Sequence, residues 1–95
     1  EQLFAAGYAA CYIGAMKFAT TQDTSLAKVP ADVSVDAAVG IGPRAEGGFG
    51  LSVTLKVSMP GVDKAEAQRI ADAGQAICPF SNATRGNIEV TTEVV

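Results

Sequence analysis

The sequence predicts an α+β domain: a buried central helix packed on an antiparallel sheet, in the order α-β-β-α-β. Three observations carry this. Residues 1–19, EQLFAAGYAACYIGAMKFA, are apolar or small on every side, with Glu1, Gln2 and Lys17 the clearly polar exceptions. Two later stretches alternate, with apolar residues facing one way. Between them and a last strand lies a segment with a helix-start signature and a helical stripe. With 95 residues the chain makes one domain, residues 1–95.

The first element is read as a helix over Glu1–Ala19. A helix apolar all round is a buried one. Glu1, Phe4, Tyr8, Cys11, Ala15 and Phe18 form a single stripe at i, i+3, i+4, i+7 spacing, so the Cys11 thiol falls in an apolar, ring-lined setting. So small a chain buries a modest share of its surface, so a helix with no polar face needs cover from a partner chain or from absent sequence. The chain opens on Glu1 without Met and with no N-cap residue ahead of it. A missing N-terminal segment is the expectation.

Residues 20–30 are polar, end in proline and read as a loop. Asp32–Ile41 alternates, with Val33, Val35, Ala37, Val39 and Ile41 facing one way. Residues 42–48, GPRAEGG, make the turn. Phe49–Met59 alternates again, with Phe49, Leu51, Val53, Leu55, Val57 and Met59 inward. The two strands pair antiparallel with one wet face. Pro60-Gly61 breaks the strand. Asp63 is placed to cap a second helix, with Glu66 completing a capping box. That helix runs to about Ile77, with Ala67, Ile70, Ala71, Gly74, Ile77 and Cys78 on its buried stripe. Pro79 stops it. Residues 80–87 read as a polar loop and 88–95 as the last strand.

Composition narrows the function. The net charge is −3, with no basic patch to neutralise phosphates, so nucleic acid is not an expected partner. The apolar run Leu3–Met16 is shorter than the roughly 18 residues that span a bilayer, so no membrane association is expected. Nor does it read as a signal peptide, because Glu rather than Lys or Arg precedes it. The chain has no His, which excludes Cys-His and Ser-His catalysis within it and His-based zinc sites. Two cysteines do not complete a zinc site and are not a disulfide scaffold, so no metal is expected. Asn82-Ala83-Thr84 matches a glycosylation acceptor, a pattern common by chance.

The two cysteines leave two readings open. A free cysteine usually packs as a small hydrophobe. Yet Cys11 and Cys78 both lie on inward helix faces, and Cys78 is followed by the polar run SNATRGN. A thiol pair within reach can reduce a peroxide through a sulfenic acid and a disulfide. That chemistry needs a cation to lower the first thiol's pKa. With no His, the candidates are Lys17, Lys28, Arg44, Lys56, Lys64, Arg69 and Arg85. Arg85 stands in a motif near a cysteine, where it also reads, together with Asn82, as a structural brace of the loop.

EQLFAAGYAACYIGAMKF and ICPFSNATRGNIEV resemble the two signature blocks of the organic hydroperoxide resistance (Ohr/OsmC) family, nearer its Ohr branch. The likeness covers essentially the whole chain. It implies an intertwined homodimer and a cysteine peroxidase that reduces lipid or alkyl hydroperoxides to alcohols in the bacterial cytoplasm. It implies Cys11 as the peroxidatic and Cys78 as the resolving cysteine, joined as a disulfide after turnover. Glu1 matches the glutamate that orients an active-site arginine, itself in the N-terminal segment this chain lacks. No cofactor is implied, and the reductant is a lipoylated protein. Gln75 stands where such proteins often carry His, and Phe80 where they often carry Tyr. Ten residues of helix put Glu1 about 15 Å from Cys11, so Glu1 would serve the partner subunit's site or act through a bridging arginine.

Phe4, Tyr8, Met16, Ile77 and Phe80 are the candidate lining of an apolar entrance to Cys11, which favours alkyl peroxides by about 0.8 kcal/mol per buried methylene. The alternative is an inactive OsmC-like fragment that serves as a structural or ligand-binding dimerisation domain.

Overall fold

The structure, a computed structural model, describes residues 2–95. Glu1, and with it the role the resemblance implies for that residue, lies outside the described residues.

Helix α1 spans Gln2–Gln22, longer than the sequence reading. The ladder continues through Thr20 and Thr21 to the Asp23 N–H, which donates to the Ala19 carbonyl at 2.9 Å. The two threonine hydroxyls donate back to the carbonyls of Lys17 and Phe18, at 2.8 and 2.7 Å, and so are satisfied within the last turns. Tyr8, Tyr12, Ala15, Met16 and Ala19 form the buried face. The rest of the helix is open: Leu3 is 90% and Phe18 53% exposed. The helix is therefore half-covered in this chain, and Phe18 keeps the stripe it shares with Cys11 but is not buried on it.

Strands β1 (Ser34–Pro43) and β2 (Phe49–Ser58) pair antiparallel, with Val35 opposite Val57, Ala37 opposite Leu55 and Val39 opposite Val53. The inward set of β2, Val53, Leu55 and Val57, is buried beneath the helices. The alternation runs on past the end of the core, however. Ile41 and Phe49 keep the inward register but are 61% and 73% exposed, because no helix covers the hairpin tip.

Helix α2 spans Lys64–Ile77. Asp63 caps it by accepting the Ala65 N–H at 3.2 Å. Glu66 does not close a capping box. Its Oε2 accepts the Ala27 N–H at 2.8 Å and its Oε1 accepts Arg69 Nη1 at 2.8 Å. The acid thereby ties the α1–β1 loop, with its buried Leu26, to α2.

A further helix, α3 (Pro79–Thr84), occupies the segment expected to be a loop. Pro79 ends α2 and also starts α3, since its fixed φ and missing N–H suit a first helical position. Cys78 is the break between them, with φ −59° and ψ 122°. Strand β3 (Glu89–Val94) then runs parallel to β2, with Val90 opposite Val53 and Val94 opposite Val57. The sheet is mixed, in the order β1-β2-β3. A long helical connection between β2 and β3 returns the chain to the end where β2 began, which makes the pair parallel. The α+β class stands, but the sheet is not the antiparallel one expected, because β3 joins it parallel to β2. α1 lies over β1, α2 over β3, and the core is one cluster.

Candidate functional site

The site forms where the middle of α1 meets the α2–α3 break. Cys11 and Cys78 are free thiols, and their Sγ atoms lie 3.4 Å apart. Cys78 is fully buried and Cys11 half-buried. The helix break fixes Cys78 through its own backbone. Its N–H donates to the Gly74 carbonyl at 2.8 Å, and its carbonyl accepts the Asn82 N–H at 3.0 Å.

Three rings stand beside the thiols. Phe4 and Phe80 stack with centroids 5.8 Å apart, and Tyr8 meets Phe80 edge-on at 5.5 Å and Phe4 at 5.8 Å. Gly7 makes room for the Phe80 ring, whose Cε2 would stand 3.4 Å from a Cβ at that position. Phe4, Phe80 and Ile77 are half-buried, so this part of the lining reaches the surface. Tyr8 and Met16 do not, since both are wholly buried. Met16 packs into the α1–α2 seam over Gly74, so it is not the entrance residue that was expected.

Burial raises the pKa of the Cys11 thiol. The Phe80 backbone N–H, bonded to the Cys11 sulfur, opposes this, and the adjacent Cys78 adds to it, because two neighbouring thiols resist ionising together. No candidate cation offsets the effect among the described residues. The four lysines Lys17, Lys28, Lys56 and Lys64 are exposed. Arg69 pairs with Glu66, and Arg44 lies 3.6 Å from Glu46. Arg85 Nη1 donates to Asn82 Oδ1 and its Nη2 to the Gln75 carbonyl, both at 2.7 Å. Arg85 and Asn82 are thus braces of the α2–α3 corner. Gln75 is part of the same corner, its Nε2 donating to Thr92 Oγ1 on β3 at 2.6 Å.

Sequence reasoning missed Ser81 and Thr84. Both hydroxyls are buried against Tyr8 Oη, at 2.8 and 3.4 Å. Their spacing from Cys78 along a helix would have pointed to them had α3 been recognised. No group of three or more His, Cys, Asp or Glu that would hold a metal occurs among the described residues. No described helix is long and apolar enough to cross a membrane.

A family profile described as OsmC-like protein matches residues 1–93. The chain belongs to the OsmC-like family. The chain is 58% identical over 91 residues to the organic hydroperoxide resistance protein of Xanthomonas axonopodis pv. citri. That alignment takes in 96% of this OsmC-like chain and 62% of the relative, so the chain spans less than two thirds of that relative's length. It superposes on the crystal structure of the organic hydroperoxide resistance protein OhrB of Bacillus subtilis with a TM-score of 0.90 at 38% identity, over 100% of this chain and 68% of that one. A structure of an organic hydroperoxide resistance protein from Elizabethkingia anophelis gives a TM-score of 0.88 at 45% identity, over 99% of this chain and 65% of that one.

Proposed function

We propose that this chain carries the thiol centre of a cysteine peroxidase that reduces organic hydroperoxides to alcohols. The observation that carries the reading is the 3.4 Å approach of two free thiols from residues far apart in sequence, beside a ring cluster that reaches the surface. The names of the relatives support a role in hydroperoxide detoxification.

The Cys11 thiolate attacks one peroxide oxygen, the O–O bond breaks, and the alkoxide leaves as the alcohol after taking a proton. Cys11 becomes a sulfenic acid. The Cys78 sulfur then attacks the Cys11 sulfur and displaces hydroxide, which leaves as water with the Cys78 proton. The product is a Cys11–Cys78 disulfide, which an external dithiol reduces. The family resemblance supports a lipoylated protein as that dithiol, a homodimer, a bacterial cytoplasmic setting, no cofactor, and Glu1 orienting an arginine from outside this chain. Exposed Leu3 and Phe18 on α1, and Ile41 and Phe49 on the hairpin, are consistent with a covering partner. The half-buried rings favour alkyl and lipid peroxides over hydrogen peroxide.

One observation favours the second reading, a structural dimerisation domain: the raised pKa of Cys11 and the absence of a cation to lower it among the described residues. Trapping decides between the two. A Cys78→Ser variant treated with cumene hydroperoxide and dimedone gains one dimedone adduct on Cys11 under the peroxidase reading, and none under the structural one.

A further inference from the structure

We infer that the Tyr8–Ser81 hydrogen bond is the positioning contact that sets how the two thiols meet in the condensation step. This rests on the peroxidase reading and deepens it.

α1 meets the segment that begins at Cys78 through the two thiols, the Phe80 N–H on the Cys11 sulfur, the packing of the Phe80 ring on Phe4 and Tyr8, and one short side-chain hydrogen bond, Tyr8 Oη to Ser81 Oγ, at 2.8 Å. Tyr8 lies three residues before Cys11 on α1, and Ser81 three residues after Cys78 on α3. In a helix, residues three apart share a face. The hydroxyl pair is therefore a further bond between the same two segments, one helical turn along. Tyr8 is 0% and Ser81 3% exposed.

The Phe80 ring packs against Phe4 and Tyr8 beside this bond, but the side of the bond toward Gln75 and Arg85 is open. A hollow of about 160 Å³, bordered by Tyr8, Gln75, Ser81, Thr84 and Arg85, adjoins the bond. Thr84 Oγ1 donates to the Phe80 carbonyl at 2.9 Å and stands 3.4 Å from Tyr8 Oη, so it is a weaker partner for the phenol. The Tyr8–Ser81 bond is the short link across that gap.

The condensation is demanding about position. The sulfur atoms stand 3.4 Å apart and must close to about 2.05 Å, with the attack in line with the breaking S–O bond. The step converts Cys11–SOH and Cys78–SH to the disulfide and water. If it is slow, a second peroxide oxidises the sulfenic acid to the sulfinic acid and leaves as a second alcohol. Misplacement of a reacting group by about 1 Å can cost on the order of a hundredfold in rate. Removing one anchor while Thr84 stays nearby should cost about tenfold.

The experiment measures this partition in the full-length protein. Cumene hydroperoxide is added in excess, and the disulfide and sulfinic forms are counted by intact mass after thiol blocking. Ser81→Ala should raise the sulfinic fraction per turnover about tenfold while leaving the rate of the first peroxide reduction unchanged. Tyr8→Phe, which keeps the ring and loses the hydroxyl, should raise the sulfinic fraction in the same way. Ser81→Thr, which restores a hydroxyl, should return it toward wild type. A purely structural loss would lower the melting temperature without shifting this partition. A wild-type partition in folded Ser81→Ala and Tyr8→Phe would overturn the inference while leaving the peroxidase reading standing. A wild-type protein whose Cys11 never oxidises would overturn both.

Discussion

A Cβ built on Gly74 stands 2.6 Å from Cγ of Met16 and 3.2 Å from Cε1 of Tyr12. Gly74 is therefore a point of close approach between α2 and α1, and all three residues are buried. Gly74→Ala should gain about 1 kcal/mol of helix propensity. It must also displace Met16 in the middle of its side chain, and overpacking of this kind costs about 1–3 kcal/mol. The expected net effect is a loss of about 1 kcal/mol, seen as a lower urea midpoint. A Gly74→Ala variant more stable than wild type would refute the close approach.

Tyr12 makes stability depend on alkaline pH. Its hydroxyl donates to the Ala71 carbonyl at 2.6 Å, and burial pushes its pKa well above the ordinary tyrosine range. The unfolded chain releases this proton near pH 10, whereas the folded chain keeps it. The contribution of Tyr12 is therefore fully present below about pH 10 and lost as pH rises through the folded value. Urea midpoints should fall above about pH 10. In Tyr12→Phe that fall should be shallower, although the variant starts from lower stability.

Cys11 should titrate late in this chain. Burial lifts its thiol above the ordinary value, so the thiolate fraction at neutral pH is small. Iodoacetamide labelling of Cys11, read by peptide mass, should reach half its limiting rate above the free-cysteine value of about 8.5. Peroxide reactivity of the chain should rise over the same range. A midpoint below 7 would mean that a cation activates Cys11, contrary to the geometry of the described residues.

Glu66 is predicted to matter for the loop rather than for the start of its own helix. Glu66→Ala leaves the Ala27 N–H without its carboxylate and Arg69 without its partner. Hydrogen bonds to charged groups contribute about 1.5–3 kcal/mol, and partial exposure reduces that here to about 1–2 kcal/mol. Hydrogen exchange should show the amides of residues 25–29 losing protection first. Loss confined to the first turn of α2 would point to the capping role instead.

Much of this architecture is legible in the residues, and what escapes does so for physical reasons. The alternation from Val33 to Met59 reveals both hairpin strands and their inward faces, because a period of two is unambiguous there. The same pattern cannot say where the covering layer ends, so Ile41 and Phe49 read as core and are exposed. Nor do the residues of β3 reveal its direction, which is set by the helical connection before it. Pro79 reads as a stop, and its second role as the first residue of α3 hides Ser81 and Thr84. The inward faces of Cys11 and Cys78 follow from helical spacing, but the distance between them depends on the break at Cys78, which no periodicity encodes. Met16 lies five residues beyond Cys11, too far around the helix to share its face, and the spacing was enough to show it.

Whether Cys11 and Cys78 are a redox pair is decided by a thiol count. The purified protein is treated with one equivalent of cumene hydroperoxide, and free thiols and intact mass are measured before and after. Both thiols should disappear, the mass should fall by two hydrogens, and a single peptide pair should link Cys11 to Cys78 within one chain. Two thiols still free after long exposure, at unchanged mass, would contradict the redox pairing and leave the pair as packing in a structural domain.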